Sequence, residues 1–482
     1  MVQSVFTQNG IRQVPASQPA TTATPMPPHG FNAALALSRF GLGARADGFR
    51  VMGSDPRTAL LAEIKAADTL PPALAALPAT PQLLQEHFAY SKQREDQSAR
   101  KPGAPAPMVQ PGQSPARDIY DDELDARYNG AWRLAPIGFT ERLAMFWSNH
   151  FAVTYNKNRF TAVSAGAFER EAIRPHIYGK FADMLLAAES HPCMLFYLDN
   201  FVSVGPNSPM GKEAGRGLNE NLAREILELH TVGVGAGYTQ SDVTSFAKVL
   251  TGWSFVHNDN PSESGRFRFN ARAHEPGAQT VFGNTYANAG EAQGRAVLLT
   301  LARHPATARH IATKLARHFV ADTPPPALVD RLAQAYTASD GDLAVVSKAL
   351  IQSPEAWMPQ RAKIRLPQEY VAAMMRLSGL YIPPGTVLQA LNQLGETNWG
   401  SPMPNGYSDL TSVWATPVGI EARLGIASYV AAHVEQINDP RLLVEASFGP
   451  LLSDATRTAV GQAETRAQAL TLIFMSPEFM RR

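Results

Sequence analysis

The segment Asn219–His230 (NENLAREILELH) gathers three glutamates, an arginine and a histidine within twelve residues of helix-forming sequence. Leu222, Ile226 and Leu229 recur at helical spacing and form an apolar stripe. Glu225 lies between them and shares the edge of that buried face. A carboxylate there needs a cationic partner, a metal or a proton, because an isolated buried charge is very costly. Glu220, Arg224 and Glu228 follow one another at steps of four and predict an acid–base–acid ladder on another face. His230 falls in the last turn, where the helix dipole favours a cation. Two readings stay open. Glu225 with Glu220 or Glu228 handles a proton or binds a cation, or the segment is a buried salt bridge beside a solvated ladder.

The other chemistry-bearing residues are more scattered. The loop carrying Gly205, Gly211, Gly215 and Gly217 precedes this helix and offers backbone amides to an anion. It is not a Walker A loop, because five residues separate Gly205 from Gly211-Lys212 and Glu213 stands where Ser or Thr belongs. Gly233, Gly235 and Gly237 follow a helix and not a strand, which argues against a dinucleotide fingerprint. His274-Glu275 is not a zincin pair, since Pro276 breaks the required helix and position 278 is Ala. His274 can still supply one ligand or one base from a loop. His150 and Trp147 lie in an aromatic helix, and His318 sits on the helix of Leu315, where each histidine also fits as a satisfied core residue. Cys193 stands in an apolar run and reads as inert packing. Aromatic, Asn-rich loops such as Asn398–Tyr407 suit stacking on sugars, and suit loop packing equally well.

These residues need elements to position them. Periodic apolar spacing predicts helices over much of Phe31–Gln93, then Glu141–Phe151, Ala165–His176, Phe181–Ser190, Asn219–Thr231, a helix starting at Ser241, and several from Glu291 to about Leu380. The fold class is therefore mainly α, a large multi-helix domain with long loops. Alternation at Arg266, Phe267, Arg268 and Phe269 predicts a short β-hairpin excursion near 262–285. Residues 1–30 read as a disordered lead, and 31–482 as one large helical domain. Pro/Gly-rich stretches predict loops at 94–118 and 383–418.

Composition narrows the classes. The 482 residues suffice for about two to four average domains or one large helical one. With 43 basic and 42 acidic residues the net charge is +1, which gives no general attraction to nucleic acid or an anionic membrane. A single cysteine excludes an internal disulfide and Cys-based zinc or iron–sulfur sites. No apolar run approaches the length of a membrane span. The N-terminus lacks the apolar core of a secretory signal, so the compartment expected by default is the cytoplasm, with export the alternative.

Several stretches resemble one bacterial family, the domain of unknown function 1800. They are Leu37–Gly43, Phe146–Phe151, Arg174–Asn200, Gly217–Trp253, His274–Gly283, Ile311–Val320 and Ser476–Phe479. The resemblance runs from about Leu35 to Arg482. It implies a mostly helical domain, export in many members and a neighbouring gene for a sulfatase-like partner. It marks Asn219, Glu220, Asn221, Arg224, Glu225, Glu228, His230, Tyr238, Asp242, Trp253, His274, His150 and His318, without assigning roles. Glu275 replaces the aspartate more frequent in the family. Two function classes follow. One is a hydrolase of carbohydrate or another extracellular polymer, with Glu225, Glu220 and His274 as acid, base or ligands of a divalent metal. The other is a non-catalytic binding protein that works with the sulfatase-like companion.

Overall fold

The computed structural model describes residues 30–45, 49–65, 69–98, 115–215, 217–256 and 263–482. The protein is mainly α: among these residues it has 24 α-helices, a few short 3-10 and π-helical turns and two small antiparallel two-stranded sheets. Proline repeatedly opens the helices, at the first position of Pro192–Tyr197, Pro305–Phe319, Pro367–Ser378, Pro384–Leu394 and Pro417–His433. Its missing amide proton costs nothing there and its fixed φ suits a first turn.

One main apolar cluster runs from Ala33 to Phe479. Buried arginines tie distant segments to it through backbone carbonyls. Arg376 donates to the carbonyls of Gly43, Trp132, Ala135, Pro136 and Ile137. Arg39 does the same for Ala356, Met358 and Gln360.

Three π-helical turns interrupt the α-helices, at Ala126–Trp132, Glu169–Ile173 and Ile226–His230. The first two carry a buried ionic ladder. Arg127 pairs with Glu123 and, at 3.0 Å, with Glu169; Arg174 holds Glu169 at 2.9 Å and Glu141 at 2.7 Å. Gly166 is needed where this ladder crosses its helix, since a Cβ there would lie 2.3 Å from the Glu123 carboxyl carbon. Extra residues in a helical turn are common at functional sites, and Trp132 and Glu169 from these turns reappear below.

The β excursion is two hairpins. Trp253–Phe255 pairs with Phe267–Phe269, and Gln279–Val281 pairs with Asn284–Tyr286. The second turns at Phe282 and Gly283, both with positive φ (50° and 77°), as a tight two-residue hairpin loop requires.

Some expected boundaries move. The 94–118 loop is trimmed by the helices Thr80–Ser98 and Pro115–Asp125, and residues 99–114 lie outside the described residues, as does the 1–29 lead. The 383–418 loop contains the helix Pro384–Leu394, whose Val387, Ala390, Leu391 and Leu394 are buried at helical spacing. The flanking Pro, Gly and Asn hid this pattern. Pro192 opens its own helix, which His191 caps by accepting from the Cys193 amide. The helix expected at Ser241 is Gln240–Leu250, capped by Thr239 and Asp242 in a reciprocal box.

Candidate functional site

The Asn219–His230 segment folds as Asn221–Glu225 in α conformation followed by the π-turn Ile226–His230. The ladder forms as expected: Arg224 lies 3.1 Å from Glu220 and 3.6 Å from Glu228. Hydrogen bonds from Thr244 and Gln240 hold the Glu220 carboxyl below its ordinary range. Asn219 accepts from the Asn221 amide and donates to the Asp199 carbonyl, while Asn221 itself is exposed. Burial raises the proton affinities of Glu225, which is half-buried, and of Tyr238, which Glu228 raises further.

The π-turn changes which residues face inward. Ile226, Leu227 and His230 are buried while Leu229 is half-buried. His230 is therefore not an exposed cation at a helix end. Its Nδ1–H donates to Glu189 Oε1 at 2.8 Å, in the core. His150 stands beside it, with ring centroids 5.9 Å apart; its Nε2–H donates to the His230 carbonyl and its Nδ1 accepts from Lys314 at 2.9 Å. Burial pulls the Lys314 ammonium down to about 8.

His274 lies elsewhere. Its Nδ1–H donates to the Thr251 carbonyl at 2.9 Å and its ring packs on Phe269. Trp253 is buried in the adjoining strand. Glu275 accepts from the Asn207 amide and side chain and so pins the glycine loop. No hydrogen bond or ion pair among the described residues joins Glu225 to Glu220 or His274. Among them, too, no three His, Cys, Asp or Glu side chains gather as a metal would require. Burial drives the Cys193 thiol up to about 12, which fits inert packing.

His318 does reach a cavity. The cavity holds about 50 Å³ between the helices Phe139–His150, Pro305–Phe319 and Pro367–Ser378 and the 396–409 loop. That is room for on the order of four waters. Its polar lining includes His318, Asp409, Glu369, Glu396, Gln368 and Asn398, with Trp132, Trp399 and Tyr407 as aromatic walls.

The ionisable groups there are set against one another. Glu369 is fully buried, which alone would favour its proton. Arg142 at 3.1 Å and Arg482 at 2.7 Å outweigh that and pull its carboxyl down to about 2. Asp409 is likewise held well below the carboxylate range, against burial, by His318 at 2.7 Å and Lys363. His318 donates Nδ1–H to Asp409 and accepts at Nε2 from Arg142, and burial keeps it neutral. Among the described residues no such cation forms an ion pair with Glu396. Burial raises it to about 8; one hydrogen bond from the Gln368 amide opposes this, and the charges of Glu369 and Asp409 add to it. At neutral pH the cavity thus holds a carboxylic acid beside carboxylates, the division of labour that acid–base enzymes use.

The loop is held under constraint. Trp399 has φ +48°, uncommon for a bulky residue. Arg127 sits 4.3 Å over its ring and its carbonyl accepts from Tyr155. Asn149 clamps the far end, accepting from the Tyr407 amide at 2.7 Å and donating to its carbonyl at 2.9 Å. Gly406 (φ +74°) permits this approach, since a Cβ would lie 2.4 Å from the Asn149 carbonyl oxygen.

Sequence reasoning had singled out His318 and the Asn398–Tyr407 loop, and the structure brings them together. It missed Glu369, Glu396 and Asp409. Glu369 looks like an ordinary first-turn carboxylate, and its Oε2 does accept from the Leu366 amide. Glu396 follows a helix-ending glycine, and nothing in its neighbours announces burial.

No curated protein and no solved structure matches the chain significantly. Residues 35–481 match a family model, nearly the whole length. The chain belongs to the family described as Protein of unknown function (DUF1800).

Proposed function

We propose that the protein is a hydrolase of carbohydrate or a similar polyhydroxylated polymer, working by acid–base chemistry at the cavity. The observation that carries this is a neutral Glu396 and an ionised Glu369 lining one cavity. Glu396 gives its proton to the leaving oxygen as the carbon–oxygen bond breaks. The Glu369 carboxylate opposes the positive charge left on the carbon, as a low-dielectric site does well. Water then adds while the Glu396 carboxylate takes back a proton, which restores the starting state. A proton affinity near neutrality suits a group that must both give and accept.

The test is release of reducing ends from a panel of polysaccharides. Glu396→Gln should lower the rate by about 10²–10⁴. An unchanged rate in that variant excludes Glu396 as the acid. Glu225→Gln in the same assay tests the other set, Glu225 with Glu220 and His274, where half-burial of Glu225 supports a proton-handling role. A second reading, a non-catalytic partner of a sulfatase-like protein, draws on the size of the cavity, since 50 Å³ does not enclose a sugar ring. Absence of hydrolysis across the panel, with a companion recovered from the native host, would favour it.

A further inference from the structure

The cavity wall carries formal charge of one sign. Glu169, Glu369 and Asp409 line it. Asp409 pairs with His318, a neutral wall residue, and the guanidiniums paired with the other two stand behind: Arg127 and Arg174 for Glu169, Arg142 and Arg482 for Glu369. None of these, and no other lysine or arginine among the described residues, lines the cavity. Glu169 and Glu369 therefore present their carboxylates, and not their paired guanidiniums, at the wall. Glu369 Oε1 is buried and accepts no hydrogen bond, although Arg142 Nη2 lies 3.1 Å away. A buried acceptor of this kind calls for a donor.

We infer that the cavity recognises a hydrogen-bond donor group of its ligand, a protonated amine ahead of a hydroxyl, and excludes anions. The ligand class is then an amino sugar or its polymer, a choice that rests on the hydrolase reading. The donor group and the adjoining carbon–oxygen bond enter the 50 Å³ space. The rest of the ring stays at the mouth, where Ser148, Asn149 and Tyr407 are half-buried. An ammonium group is nearly the size of a water and would sit among carboxylate oxygens in a low-dielectric setting, where opposite charges attract strongly. A carboxylate or sulfate would meet the carboxylates of Glu169, Glu369 and Asp409.

Titration of the full-length protein at pH 7 with glucosamine, glucose and glucuronate, followed by calorimetry, tests this. Glucosamine should bind at least tenfold more tightly than glucose, and glucuronate should not bind. Glu369→Gln should abolish the preference, with near-ultraviolet circular dichroism confirming that the variant is folded. Ser148→Lys adds a cation at the mouth without touching the ion pairs and should weaken glucosamine tenfold or more. Glucuronate binding as tightly as glucosamine, no binding of any probe, or no effect of Ser148→Lys would each overturn the inference. Binding is read apart from turnover. Hydrolysis of an acidic polymer that depends on Glu396 would leave the hydrolase reading standing and this inference fallen. Glucosamine binding without hydrolysis of any polymer would do the reverse.

Discussion

Two glutamates in one cavity depart from their ordinary behaviour in opposite directions, and stability should record it. Glu396 holds its proton up to about 8 in the folded protein, against 4.5 ordinarily. Its contribution is fully present below the unfolded value and is lost as pH rises through the folded one. Stability should therefore fall across that window by up to about 1.4 kcal/mol per pH unit. Glu396→Gln keeps the side chain neutral, so urea denaturation at pH 6 and pH 9 should differ less for the variant than for the parent. Glu369, pulled down to about 2, contributes in the other sense: its stabilisation is present above 4.5 and lost as pH falls towards 2. Glu369→Gln leaves Arg142 and Arg482 buried without their shared anion and should cost about 3–5 kcal/mol at neutral pH. A loss below about 1 kcal/mol would mean that backbone carbonyls, such as those Arg142 and Arg482 already contact, suffice to hold these cations.

The elements explain why part of this site was legible and part was not. The long helices show in the apolar spacing, and the Glu220–Arg224–Glu228 ladder follows from α geometry alone. The π-turns do not show, because the extra residue is fixed by tertiary partners: Glu189 for His230, and Arg127 and Arg174 for Glu169. His230 accordingly sits differently from the expectation drawn on a regular helix, whereas Glu225, in the α portion, is half-buried as its edge position implies. The Pro384–Leu394 helix was masked by composition and the 396–409 loop by its irregularity, although its asparagines and aromatics did suggest a binding wall. That loop depends on the Asn149 clamp. Asn149→Ala should free Tyr407, and Gly406→Ala should add strain on the order of 1–3 kcal/mol at a positive φ. Faster hydrogen exchange of the 397–409 amides in both variants is the expected result. Unchanged exchange would show that Trp399 and Arg127 hold the loop without the clamp.

Across the whole molecule, the apolar cluster from Ala33 to Phe479 and the carbonyl-binding arginines link segments hundreds of residues apart. The chain from 31 to 482 should then unfold as one unit, with tryptophan fluorescence and far-ultraviolet circular dichroism giving coincident urea transitions. Two separated transitions would divide it into domains. The same packing buries Glu396 and brings up the partners that keep Glu169, Glu369 and Asp409 ionised around its cavity. Everything proposed for the cavity turns on Glu396 being a neutral acid at pH 7. Carbon-13 NMR of the glutamate carboxyls, with Glu396→Gln to assign the signal, measures this directly. A Glu396 resonance that titrates near pH 8 is the predicted result. A resonance already that of a carboxylate at pH 6 would show that the folded protein ionises Glu396 and that it is not the acid.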